Sequence, residues 1–242
     1  MQKNMCHAVP ADAASGHLSA WDPVQQREVW RVPYTKASNG GTLTTAGNLV
    51  FQGTADGRFV AYTADRGEKV WEFLAQTGIV AAPITYTIDG EQYISVMAGW
   101  GGVFALIFGE AAAANLVRHV GRLLTFKLGA TAQLPPLAAV PALPQPPPVD
   151  APVEVVATGE LLYLRNCVVC HGAGVVSGGV LPDLRHSSQE VFVAYQDIVL
   201  RGALEDRGMP RFDDRLQAEG VEAIKAFILT KGWEDYVKRN KR

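Results

Sequence analysis

The sequence predicts a multidomain chain: an all-β part holding about three blades of a β-propeller, followed by a small all-α domain. Three observations predict it. A tryptophan-bearing motif recurs in the first half at an offset of 41 residues, from Gly16 to Gly57. Eight of the nineteen residues from Leu134 to Pro152 are proline. Three helical patterns then follow, the first running into Cys167-Val168-Val169-Cys170-His171. The boundaries are 1–130 for the blades, 131–153 for a proline-rich linker and 154–242 for the helical domain.

Composition sets the bounds. The chain has 242 residues, 48% of them hydrophobic, enough for one large or two modest cores. A formal charge of −2 gives no reason to expect nucleic acid or an anionic membrane as partner. No apolar run approaches the ~18 residues of a transmembrane helix. The stretch Met1–Cys6 lacks the apolar core of a secretory signal.

The repeat carries the first domain. Gly16/Gly57, Ala20/Ala61, Val29/Val70 and Trp30/Trp71 are identical, and Leu18/Phe59 and Trp21/Tyr62 are similar. Weaker echoes begin at Gly101 and Gly121. Apolar residues alternate with small or polar ones, the pattern of a half-buried strand. Asp65-Arg66-Gly67-Glu68 supplies turn chemistry, so residues 57–71 read as a hairpin, with further strands over Asn48–Gly53 and Gln92–Ala98. About 40 residues per four-stranded unit is the period of a propeller blade, and the alternative is a plain β-meander. Three blades leave open edges, so residues 1–130 read as the tail of a larger propeller. Glu110–Val120 is alanine-rich and reads as a short helix.

The linker reads as a polyproline spacer, which at about 3.1 Å per residue spans roughly 60 Å. A ligand for an SH3-type domain is the other use of such a sequence.

In the helical domain, Thr158 caps a helix over 159–166, Ser187 and Glu190 form a capping box, and a helix follows through Val191, Val193, Tyr195, Ile198 and Val199 to Gly202. A third helix carries Val221, Ile224, Phe227 and Ile228 on one stripe and stops near Gly232. The pentapeptide Cys167–His171 is the attachment signature of a c-type haem. Two thiols three positions apart can each bond one vinyl group, and the adjacent imidazole reaches the iron. The competing reading is a C-x-x-C redox pair that happens to precede a histidine. The sixth ligand is assigned to Met209, 38 residues after His171 in a loop stiffened by Pro210. Its soft thioether raises the potential of the iron. His186 is the other candidate ligand, and a packing role is the alternative for Met209. Pro182 is placed to offer a backbone carbonyl to the His171 ring. Arg185 and Arg201 could meet haem propionates or simply stay solvated. The basic tail Lys238–Arg242 reads as a solvated helix end, and Cys6 as a free thiol. Haem of this type is attached outside the cytoplasm, so the expected location is the periplasm, with the signal on an upstream part.

The order propeller, proline linker, cytochrome c resembles the quinohaemoprotein alcohol dehydrogenases. The resemblance rests on the tryptophan repeats, on residues 39–54 and Ala98–Gly102, on Ser177–Gly179 and Pro182–Arg185, and on Asp206–Pro210. It implies a propeller of the type that binds pyrroloquinoline quinone (PQQ) and calcium near its axis. It implies oxidation of a small alcohol and passage of electrons from the quinone to haem c. An external acceptor, a small copper protein or another cytochrome, then collects them. By the same resemblance Ala98 and Asn39 lie near PQQ. The family's catalytic base, calcium ligands, vicinal disulfide and most quinone contacts lie upstream of the matching region, and Ser38 stands where a tryptophan is usual. The expectation is therefore a C-terminal fragment that carries haem but does not oxidise alcohol by itself. Two other readings are a standalone electron-transfer cytochrome with a β docking module and a non-enzymatic propeller scaffold; the haem motif argues against the second.

Overall fold

The structure, a computed structural model, describes residues 15–37, 39–99, 120–137, 144–177 and 181–241. The chain divides into two compact units, one of β-sheets and one of helices.

In the β unit the described strands form three antiparallel sheets. The first pairs β1 (Gly16–Asp22) with β2 (Arg27–Tyr34). The second is the meander β3 (Thr42–Thr45), β4 (Leu49–Gly53), β5 (Arg58–Thr63) and β6 (Lys69–Leu74). The third runs β7 (Ile84–Ile88), β8 (Glu91–Ala98) and β9 (Arg122–Lys127). The 41-residue repeat is reproduced in the pairing register. Ala20 faces Trp30 in one hairpin and Ala61 faces Trp71 in the other, and each has a register shift immediately after the alanine. The weak echo at Gly101, and all but the last residue of the helix expected over Glu110–Val120, lie outside the described residues.

The two central strands of the middle sheet, β4 and β5, are buried on both faces, where the alternating pattern predicted one. Residues 50–53 of β4 and 59–62 of β5 are all buried. Side chains alternate across the sheet. Phe51, Phe59 and Ala61 therefore pack towards Val96, Leu124 and Phe126 of the third sheet. Val50, Val60 and Tyr62 pack towards Leu18, Trp30, Val32 and Tyr34 of the first. Central strands sandwiched in this way have no solvent face and lose most of their polar positions, while the outer strands β3 and β6 stay largely exposed.

Trp30 couples one sheet to the next. Its indole N–H donates to the Ala64 carbonyl at 3.0 Å, in the turn between β5 and β6. Its ring lies where a Cβ on Gly67 would come within 2.6 Å, and Gly67 has φ +68°. Both facts demand glycine there. One repeat further on, Trp71 makes an edge contact with Phe126 of β9, ring centroids 5.2 Å apart. The outward face of the third sheet carries exposed Ile84, Met97 and Leu123 around a hydroxyl ladder, Tyr86 to Ser95 to Thr125, at 2.9 and 2.8 Å.

The helical unit is built on two crossing helices, α1 (Val153–Asn166) and the long C-terminal α5 (Ala218–Asn240). Between them lie α2 (Val168–His171), α3 (Gln189–Val193) and α4 (Tyr195–Arg201). Four features differ from expectation. Helix α1 starts at Val153, after Pro152, and Thr158 lies inside it with its hydroxyl donating to the Glu154 carbonyl, the back-bonding open to a mid-helix threonine. The cap of α3 is Ser188 rather than Ser187, and its hydroxyl holds the Glu190 carboxyl below the usual range. The expected single helix to Gly202 is broken at Ala194. The break turns both Phe192 and Tyr195 into the core and leaves Val193 outside, 81% exposed. Gly202 ends α4 in the left-handed region. Finally, α5 continues eight residues past Gly232. A glycine inside a helix usually weakens it, but here a Cβ would come within 3.1 Å of the Arg185 carbonyl and 3.3 Å of the Pro146 ring, so close packing selects it.

Candidate functional site

The site grows out of the end of α1. Helical bonding continues past Asn166: the Cys167 N–H donates to the Tyr163 carbonyl at 2.8 Å and the His171 N–H to the Cys167 carbonyl at 2.9 Å. One turn thus presents Cys167, Cys170 and His171. Both cysteines are free thiols, Cys170 exposed and Cys167 half-buried. Burial pushes the Cys167 thiol up to about 12, so it stays protonated at neutral pH.

His171 is buried, 7% exposed. Its Nδ1 faces the Pro182 carbonyl at 3.4 Å. With Nδ1–H donated there, Nε2 is left as the free ligand nitrogen. Burial lowers the pKa of the ring, and the Pro182 bond opposes this only in part, so the imidazole is neutral and ready to coordinate.

Two residues that sequence reasoning passed over hold this arrangement. Tyr163, fully buried, donates its hydroxyl to the Gly172 carbonyl at 2.7 Å, closing the turn immediately after His171. Asp183 organises the loop that carries the Pro182 carbonyl. Its carboxylate accepts the backbone N–H groups of Ser177 (3.3 Å) and Arg185 (3.1 Å) and a two-point contact from the Arg185 guanidinium (2.9 and 2.7 Å). The Pro-Asp-x-Arg spelling was a usable signal, since aspartate commonly caps such a turn. Tyr163 gave none beyond its place on the apolar face of α1.

Met209 is half-buried and packs on the same core as Cys167, Val168 and Leu184. Its N–H donates to the Leu204 carbonyl at 3.1 Å, and Gly208 turns the chain into it at φ +88°. His186 is engaged elsewhere: its Nε2 lies 2.9 Å from Asp235, which also meets Arg239 at 2.9 Å and Arg185 at 3.5 Å. Burial works against ionisation of Asp235, but these three partners hold its carboxyl below the usual range. Arg185 and Arg201 both serve local carboxylates, Arg201 meeting Asp197.

In the β unit, Ala98 is buried at the end of β8. Both ends of the Asn39 amide are used by the backbone, Nδ2 donating to the Lys36 carbonyl at 2.9 Å and Oδ1 accepting from Ala55 N–H at 3.2 Å. Ser38 lies outside the described residues.

Three sheets of a partial quinoprotein-type propeller, followed by helices around a C-x-x-C-H turn, define the class: a propeller joined to a cytochrome c-type unit. Comparison with known families gives the same division. Residues 7–94 match the β-propeller domain of glucose, ethanol and alcohol dehydrogenases, and residues 154–228 match the cbb3-type cytochrome c oxidase subunit III family. The chain is 53% identical over 235 residues to the quinohemoprotein alcohol dehydrogenase ADH IIB of Pseudomonas putida, covering 96% of this chain and 34% of that protein. It is 45% identical to a 1-butanol dehydrogenase (cytochrome c) of Thauera butanivorans, covering 96% and 33%. The solved structure of ADHIIG from Pseudomonas putida superposes with a TM-score of 0.88 at 46% identity, over 94% of this chain and 33% of that one. That of the Comamonas testosteroni enzyme gives 0.75 at 43%, over 90% and 31%. The close relatives of this chain are quinohaemoprotein alcohol dehydrogenases, and it spans about a third of their length.

Proposed function

We propose that this chain is the C-terminal, haem-bearing part of a PQQ-dependent alcohol dehydrogenase. In the whole protein a small alcohol is oxidised to its aldehyde within the propeller. The helical unit then relays the electrons to an external acceptor, a small copper protein or another cytochrome, in the periplasm. Haem c supplies one-electron acceptance and release. Cys167 and Cys170 would hold it through thioethers, and His171 and Met209 would ligate its iron. Pro182 orients the His171 ring, and Tyr163 and Asp183 hold the backbone on either side. Ala98 and Asn39 are assigned to the PQQ side of the β unit, with calcium held by other parts of the enzyme. By themselves these 242 residues are competent for haem binding and electron transfer.

The observation that carries this reading is the buried His171, its Nδ1 on a backbone carbonyl, at the end of a turn that offers two free thiols. That the chain spans about a third of the length of its relatives supports the longer enzyme over a docking module on a standalone cytochrome.

The test is production of the chain in a host that attaches c-type haem. Haem should stay with the polypeptide after acid extraction and should be lost when Cys167 and Cys170 are both replaced by serine. The ferric protein should show the long-wavelength thioether-to-iron band. Extractable haem would sink the proposal. A missing band would remove Met209 from it.

A further inference from the structure

The C-terminal helix does more than close the core. Its turn at Gly232, Trp233 and Tyr236 meets the end of the proline-rich segment. Pro146 is buried. The Trp233 indole N–H donates to the Pro147 carbonyl at 2.9 Å. Gly232 carries no side chain at the point where Pro146 packs, and a methyl there would meet the Pro146 ring at 3.3 and 3.4 Å. Tyr236 stands edge-on to Trp233, ring centroids 5.4 Å apart, and stiffens it. An aromatic pair with an indole N–H aimed at a proline carbonyl is the chemistry by which recognition modules hold polyproline ligands. Proline carbonyls have no intrachain donor in that conformation, and the stiff ligand loses little entropy on docking.

We propose that the Gly232–Tyr236 turn is a polyproline-recognition groove whose ligand is this chain's own linker at Pro146–Pro148. The spacer therefore ends at Gln145, not at the start of α1. At the polyproline rise of about 3.1 Å per residue, the twelve residues from Leu134 to Gln145 reach ~37 Å, against roughly 60 Å for all nineteen to Pro152. The groove also touches the turn that orients His171, because the Cβ position of Gly232 lies 3.1 Å from the Arg185 carbonyl. One helical turn thus fixes both the tether and the Pro182–Arg185 loop.

Hydrogen exchange at the indole N–H of Trp233, followed by NMR on the full chain and assigned by its loss in Trp233→Phe, tests the proposal. The readout does not involve haem, so it stands or falls separately from the function proposed above. Exchange at Trp233 should be several-fold slower than at Trp21, which is 61% exposed. Pro146→Gly lies outside every helix and should raise it towards the Trp21 rate. Gly232→Ala, which displaces Pro146 while leaving indole and proline intact, should raise it too, and acceleration in either variant supports the groove. Trp233 exchanging as fast as Trp21 in the parent, or unchanged exchange in both variants, overturns it.

Discussion

The crossing of α1 and α5 gives the most demanding prediction, Gly159→Ala. An added methyl would sit 1.9 Å from the Ala223 carbonyl oxygen and 2.5 Å from its carbon. Ordinary contact begins near 3.4 Å. No rotamer change relieves a clash with backbone, so the helices must part by about 1.5 Å, and a gap of even ~1 Å forfeits up to half of each dispersion contact. Tyr163 lies one turn along α1 and packs at a tilt against Phe227 of α5 with centroids 5.5 Å apart, so this contact opens with the crossing. Overpacking of this kind costs up to about 3 kcal/mol. Replacing glycine by alanine inside a helix returns about 1 kcal/mol. The net loss of about 2 kcal/mol lowers the melting temperature of a unit of this size by about 8–16 °C. Thermal unfolding of the full chain, followed at the haem absorbance so that only the helical unit reports, measures this. Ala157→Ser on the exposed face of the same helix is the control and should change little. A Gly159→Ala protein melting within ~2 °C of its parent would show that the crossing is not set by this contact.

Three more outcomes are expected. Tyr163→Phe leaves the Gly172 carbonyl without its donor and should cost about 1–3 kcal/mol in urea unfolding while haem stays attached; an unchanged midpoint would mean the bond is dispensable. Met209→Ala should retain covalent haem, lower its potential in a redox titration and admit carbon monoxide to the ferrous form; an unshifted potential would remove Met209 from the iron. Asp235→Asn should cost about 2 kcal/mol at pH 7. The Asp235 carboxyl is depressed in the folded state, so its contribution is complete above the unfolded value near 4 and is lost as pH falls through the lower folded value. The difference between parent and Asp235→Asn in unfolding midpoint should therefore shrink below pH ~4. A difference that persists to lower pH would assign the effect to packing.

What could be read from the residues was whatever rests on local chemistry or strict period. The Trp30 and Trp71 repeat located two hairpins in one register, and Cys167–His171 named its own turn. The second burial face of β4 and β5 was not legible, because whether alternation is half-exposed depends on a neighbouring sheet that pattern alone does not reveal. Helix limits failed where a tertiary contact outweighed a local signal: Gly232 reads as a stop until the Arg185 carbonyl and Pro146 are seen against it. The partner of His186 was not legible, because only the return of α5 brings Asp235 to it. Tyr163 carried no signal of its own, and its hydroxyl acquires a role only because the chain turns back at Gly172.

The Trp30 clasp on the Ala64–Gly67 turn has a consequence for how the β unit fails. Each sheet is fastened to the one that follows, so sheets behave like links with nearest-neighbour couplings rather than like parts of one undivided core. Damage at one link is felt first by its neighbour. A bulky residue at Gly67 would strain its own turn and, by displacing the Trp30 ring, also loosen the first sheet, whose own strands are unaltered.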